Sequence, residues 1–297
     1  MTRTPRRTAA AAALLALVAL VVASCQGDSA DPEAGSTTSG SAAPTTSGGS
    51  TSATPSASPS ATPTPARAIA APRNRACYDY RYPAAVAPVT HGDPVPCEKR
   101  HTAITFGVGR LDTVVDGHLV SVDSDRVRAQ IASECPRAFA AFVGGTREIQ
   151  RLSMLRPVWF TPSVKESDAG ADWYRCDVVA LAADEELAPL TGRLQGVLVR
   201  PLAREQYAMC GTAEPGTAGF HRVICSAGHS WRAIATVDVP GKRYPGVDVA
   251  REAGQDRCRD AGVEVADDAL NYRWGYEWPT KQQWQAGQHW GFCWAPD

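Results

Sequence analysis

Nine cysteines and six histidines are the side chains of this 297-residue chain best suited to chemistry. Cys25 stands apart at the end of an apolar run. The other eight divide into two sets of four, Cys77, Cys97, Cys135 and Cys176, then Cys210, Cys225, Cys258 and Cys293. The gaps run short, long, long in both sets. His101 follows Cys97, and His229 follows Cys225, at the same Cys-x3-His spacing. A metal could be held by Cys97 with His101 and Cys225 with His229. Zinc sites usually draw on close pairs such as Cys-x2-Cys, and none occurs here. The same lack speaks against dithiol redox chemistry. So many cysteines fit an oxidising compartment and disulfides instead. The histidines are then expected to hydrogen-bond the turn beside a disulfide, with no metal and no cofactor.

A search for catalysis gives little. The chain has no Gly-x-Ser-x-Gly elbow, no His-Glu-x2-His, no phosphate-binding Gly-x4-Gly-Lys-Ser/Thr and no dinucleotide fingerprint. Asp184-Glu185-Glu186 and Asp267-Asp268 read as solvated loop charges. The expectation is a protein that is not an enzyme. The best candidate binding surface is aromatic: Trp274, Tyr276, Trp278 and Trp284, followed by Trp290 and Trp294, with Gln282, Gln283, Gln285 and Gln288 among them. Exposed indole faces would stack on sugars and amides would meet hydroxyls. The competing reading is that these rings fill a small core, and Trp290 belongs there. Charge excludes other classes. With 30 Lys+Arg against 31 Asp+Glu, no excess of positive charge suits nucleic acid or a polybasic membrane surface.

The elements that carry these residues begin with a leader. Arg3, Arg6 and Arg7 precede the uncharged run Ala9–Ala23, too short to span a bilayer comfortably and suited to a signal peptide over 1–24. Val22-Ala23-Ser24-Cys25 resembles the lipobox of bacterial lipoproteins, which implies lipidation of Cys25 and attachment through that lipid to the extracytoplasmic face of the membrane. Residues 25–72 are mostly Ser, Thr, Ala, Gly and Pro, with too little apolar surface to offset ordering. They are predicted to form a disordered stalk.

The folded part reads as two related halves, 73–200 and 201–297. After each histidine comes a strand-like stretch, Thr102–Val108 and Trp231–Val239. A helix candidate follows in each. The first is capped at Asp123 or Ser124, with Val127, Ile131, Cys135, Phe139 and Phe142 on one face. The second is capped at Asp248 and carries Val249, Ala253 and Cys258. The final segments align without a gap: Pro162, Gly170, Trp173 and Cys176 against Pro279, Gly287, Trp290 and Cys293. Such alignment indicates an internal duplication.

Cys…Val-x-Cys-x3-His, a helix bearing a cysteine, then Pro-x7-Gly-x2-Trp-x2-Cys resembles the septum formation family. The resemblance covers 77–200 and, shortened, 210–297. Thr191-Gly192-Arg193-Leu194-Gln195-Gly196 is similar to that family's Gly-Ser-Leu-x-Gly ending, with Arg193 in place of Ser. The family's tryptophan before the Gly is present as Trp284 and replaced by Ser167 in the first half. Membership implies an extracytoplasmic actinobacterial envelope domain and a link to cell division. Four cysteines allow three pairings in each half. The favoured set is Cys77–Cys97, Cys135–Cys176, Cys210–Cys225 and Cys258–Cys293, in which the helix is tied to the last strand.

The resulting expectation is α+β: two tandem disulfide-stapled modules, each an antiparallel sheet with one main helix. The expected role is non-catalytic binding or scaffolding of an envelope protein partner in division or wall assembly. The alternative is a cell-wall glycan on the tryptophan cluster.

Overall fold

The computed structural model describes residues 69–90 and 92–297. The signal peptide, Cys25 and nearly all of the proposed stalk lie outside the described residues. The first half contains β1 (Cys77–Tyr78), α1 (Tyr82–Ala85), β2 (Ala103–Arg110), β3 (Val114–Val115), β4 (His118–Leu119), α2 (Asp125–Val143), α3 (Arg147–Arg151), β5 (Leu155–Phe160), α4 (Val164–Asp168), β6 (Trp173–Ala183) and β7 (Glu186–Ala188). A 3-10 turn, Val197–Val199, leads to α5 (Pro201–Gln206), β8 (Met209–Gly211), β9 (Arg222–Ile224), β10 (Trp231–Asp238), α6 (Val247–Glu252), α7 (Gln255–Val265), β11 (Gly275–Glu277), α8 (Lys281–Gln285) and β12 (Trp290–Pro296). The class is mixed α and β, with antiparallel sheets. Among the described residues no helix is long and apolar enough to cross a membrane.

The two main sheets share a strand order. In the first it is β1-β2-β6-β5, with β7 also pairing β6. In the second, β8-β10-β12-β11 follows the same path, with β9 added beside β8. The registers coincide as well. Gly107 faces Cys176 and Ala235 faces Cys293, each six residues after its histidine. A bulge precedes both positions, between Thr105 and Gly107 and between Ala233 and Ala235. Val95 bridges Cys77 as Val223 pairs Cys210. The second short edge is a bridge in one sheet and a full strand in the other.

The Pro-x7-Gly-x2-Trp-x2-Cys spacing has a local cause. Ser163 caps α4 and Thr280 caps α8, each with a reciprocal bond from Glu166 or Gln283 at the third helical position. These are capping boxes. Each helix then stops the same way. The Ala171 N–H donates to the Glu166 carbonyl (2.9 Å) and the Gly170 N–H to Ser167 (2.8 Å), while Gln288 donates to Gln283 and Gly287 to Trp284, both at 2.9 Å. That pattern needs a positive φ at the residue just past the cap. Gly170 and Gly287 supply it, at +96° and +93°. The chain is thereby turned into β6 and β12, which open on Trp173 and Trp290.

Ser124 caps α2, whose buried positions are Val127, Ile131, Cys135, Phe139 and Val143. Val143 is buried at the end of that stripe, and the expected Phe142 is half-buried against the same cluster. The second helix departs further from expectation. Asp248 sits inside the first turn of α6 rather than capping it, and the helix breaks before α7. The Tyr276 hydroxyl donates to the Ala250 carbonyl at 3.2 Å, taking the acceptor that would continue the helix. Its ring occupies the space beside Gly254, where a Cβ would stand 2.2 Å from the ring.

Four disulfides are present: Cys77–Cys97, Cys135–Cys176, Cys210–Cys225 and Cys258–Cys293. Two tie a helix to the strand that carries the fourth cysteine of its half, α2 to β6 and α7 to β12. The other two staple the turn before each histidine to β1 and to β8.

The halves do not have separate cores. Cys135, Ile131, Cys176 and Val178, under α2, belong to one apolar cluster with Tyr207, Met209, Trp231, Ala233, Phe292 and Trp294 from the second half. The second sheet is thus covered on both faces, by α7 around Cys258, Ala261, Ala235 and Cys293, and by the first half around Phe292 and Trp294. Polar contacts tighten the join. Met154 N–H donates to Tyr207 O (2.7 Å) and Met209 N–H to Leu152 O (2.9 Å). Arg151 pairs Asp238 at 2.8 Å and lies 4.1 Å over the Trp290 ring. Trp290 is therefore half-buried under a guanidinium rather than sealed in a core.

Brief exposure of the native chain to dithiothreitol, followed by alkylation and peptide mass analysis, should label Cys77 and Cys97 first. Cys97 is exposed, whereas Cys135, Cys176, Cys258 and Cys293 are buried and out of reach of a thiolate until their helices lift. Early label on Cys135 or Cys258 would mean that α2 or α7 detaches in the native state.

Candidate functional site

The two Cys-x3-His segments fold alike. The Lys99 N–H donates to Pro96 O at 2.9 Å and the Ala227 N–H to Ile224 O at 2.8 Å, closing a turn after each cysteine. His101 Nδ1 lies 2.8 Å from Lys99 O, and His229 Nδ1 lies 2.7 Å from Ala227 O. With Nδ1–H donating to the turn, each imidazole fastens the chain beside its disulfide. The far nitrogens differ. His101 Nε2 is buried without a hydrogen-bond partner, while His229 Nε2 stands 3.0 Å from Asp297. Burial pushes the Asp297 carboxyl up, but hydrogen bonds from Arg232 and His229 outweigh it and hold the group below the ordinary carboxylate range. Cys210, His229 and Asp297 bring potential ligand atoms within 4.8 Å of one another. The Cys210 sulfur is bonded to Cys225, so this trio offers no thiolate, and Arg232 already occupies the carboxylate at 2.8 Å.

The aromatic segment is corrected by the structure. Trp284 is only 5% exposed, packed with Val239 and Ala250 beneath Tyr244, and stacked on His289 at 4.2 Å. Tyr276 is 7% exposed, and burial pushes its hydroxyl up to about 12. Trp274 and Trp278 are half-buried, packed against the α7 side of the sheet. The four rings therefore form no common exposed face. They cover the α7 side and the flank of the second sheet. Of the acidic runs, Asp184 and Glu185 occupy the exposed β6–β7 turn, and Asp267 and Asp268 are exposed.

A buried charge cluster escaped the sequence reading. Arg175 and Asp177, on either side of Cys176, are 4% and 0% exposed and lie 3.2 Å apart. Thr105 donates to the Asp177 carboxylate (2.7 Å) and Arg175 to the Tyr80 hydroxyl (2.6 Å). The guanidinium also lies 4.1 Å over the Tyr78 ring and 4.8 Å over Phe160. The signal was two charges at alternate positions inside a strand of otherwise apolar character. Burial dominates the carboxyl and pushes it up from 3.8 to about 6, against the pull of Arg175 and Thr105.

A second missed feature is a cavity of about 910 Å³ between the Ala85–Val89 segment, α2 and β5. Val86, Pro88, Ile131, Pro157, Trp159 and Val164 give it an apolar lining, with Asp123 and Arg128 also in its wall.

Two outcomes test these assignments. Trp284→Ala should lower stability by about 3–5 kcal/mol, as for other buried aromatic deletions, read by urea unfolding. A loss below about 1 kcal/mol would place the ring on the surface. Because the folded chain holds the Asp177 proton more tightly than the unfolded chain, stability should fall as pH rises from 3.8 towards about 6. Asp177→Asn should remove that slope from the melting temperature.

No curated protein and no solved structure matches this chain. The description "Septum formation" belongs to a family model that matches residues 155–293. That stretch opens on β5, crosses the join between the halves as one span, and closes on Cys293 at the α7 staple. The shared Pro, Gly, Trp and Cys turns described above lie within it in both halves, and the match supports assigning this chain to the septum formation family.

Proposed function

We propose that this chain is a non-catalytic, lipid-anchored envelope protein whose two tandem septum-formation modules serve as a binding or scaffold unit in cell division or wall assembly. The family match supports a cell-division-related role. The coincident strand order, register and bulge positions support reading the halves as copies. One observation carries the binding role over an enzymatic one. The side chains most capable of chemistry are engaged in holding the fold: eight cysteines in disulfides, His101 and His229 on turn carbonyls, and Asp177 on Arg175 and Thr105.

The surface offered to a partner protein in this reading is the apolar cavity beside β5. Its volume and lining suit an apolar side chain or short turn of a second envelope protein. Val86 and Val164 stand half exposed in its wall, at 54% and 50%. A photo-crosslinking residue at Val164 in growing cells should capture one defined envelope protein, and one at the distant, exposed Leu270 should not. Equal capture at both positions would sink the reading. In the same cells Cys25→Ser should move the protein from the membrane fraction to the soluble one. Retention on the membrane would mean that the lipobox reading is wrong.

A further inference from the structure

Cations in the second half are almost all accounted for. Arg204, Arg222, Arg232, Arg251, Arg257, Arg259 and Arg273 each lie in an ion pair with an Asp or Glu. That leaves one arginine beyond residue 200, Arg243, and the two lysines of that stretch, Lys242 and Lys281. None of the three has an ion-pair partner among the described residues, and all three line one cavity. It is an opening of about 580 Å³ between the β10–α6 loop and α8, walled also by Tyr244, Trp284 and Gln285. No carboxylate is in its lining.

Three like charges gathered around one hollow repel one another, and a bound anion removes that repulsion. Arg243 can grip a phosphate or carboxylate in two-point fashion while the lysines add point charge. The remaining wall is suited to a sugar ring. Tyr244 is half-buried and held edge-on against the buried Trp284 at 5.9 Å, so the Tyr244 ring is a fixed apolar surface for the C–H face of a pyranose. The Gln285 amide is placed to bond hydroxyls. The opening is shallow, with a volume in the range of small-ligand sites. In the first half Ser167 stands where α8 carries Trp284, so the site belongs to the second half alone.

We propose that this cavity binds an anionic sugar unit of a glycan, with the ring against Tyr244 and its phosphate or carboxylate among Lys242, Arg243 and Lys281. This is separate from the protein-binding role of the cavity beside β5, and neither depends on the other.

The test uses the full chain with Cys25→Ser, titrated calorimetrically with glucose 6-phosphate, glucose, inorganic phosphate and phosphatidylglycerol vesicles. Glucose 6-phosphate should bind saturably, and more tightly than glucose or phosphate alone. Affinity should fall with added salt, and by about ten-fold or more in the Lys242→Ala/Arg243→Ala/Lys281→Ala variant at unchanged melting temperature. The three residues are exposed, so the variant keeps its fold. No saturable binding of glucose 6-phosphate, equal binding of glucose, or an unaffected triple variant would overturn the proposal. Vesicle binding through the same three cations in preference to the sugar phosphate would also overturn it, and would assign the cavity to a lipid headgroup.

Discussion

A small antiparallel sheet has two faces, and one helix can cover only one of them. Much of this molecule follows from how the other face is closed. In the second half α7 lies on one side of the sheet, held by Cys258–Cys293, and the opposite side presents Trp231, Ala233, Phe292 and Trp294. Left in water, that surface would be an apolar patch of the kind that associates. The first half closes it, so Phe292 and Trp294 end 1% and 0% exposed. The join is therefore a fold requirement of the second half and not a loose linkage between finished domains.

The same face in the first half has a different solution. The positions of Phe292 and Trp294 correspond in register to Arg175 and Asp177. There the cover is local: Tyr78, Tyr80, Ala85 and Phe160 gather over the sheet with the Arg–Asp pair beneath them. A buried pair costs desolvation on both charges and is a weak source of stability. Thr105, the Tyr80 hydroxyl and two ring faces offset part of that cost, while Arg175 Nε and Asp177 Oδ2 face each other at 3.2 Å with no hydrogen bond of their own. Identical backbone register thus carries opposite chemistry, set by what lies on top.

Legibility in the sequence followed the range of the interactions concerned. Pro162 to Cys176 and Pro279 to Cys293 could be aligned by eye because capping box, helix stop and strand entry are all determined within that stretch. The Cys-x3-His turns are equally local. Exposure of the tryptophans was not legible. Trp284 is buried by Val239, Tyr244 and Ala250, some forty residues upstream, and no periodicity in its own five-residue helix reveals them. The break before α7 was hidden for a like reason, since it depends on the Tyr276 hydroxyl reaching Ala250. The common core was the largest omission. Dividing eight cysteines four and four suggests two closed units, whereas crosslinks report only which segments are stapled, not which faces remain uncovered.

Each of the four crosslinks lies within one half; none spans the join. Pulled from its ends, the chain would carry its load across a seam that no covalent crosslink reinforces. The seam is apolar contact, a few backbone bonds, the Arg151 bridge and side-chain contacts such as the Thr236 N–H donating to Glu148, and its parting would bare Phe292 and Trp294. Beyond that point the segments 135–176 and 258–293 stay closed loops that cannot lengthen without reduction. Under load such a chain would yield first at one place, and burial of the bared rings would draw the halves together again when the load is removed.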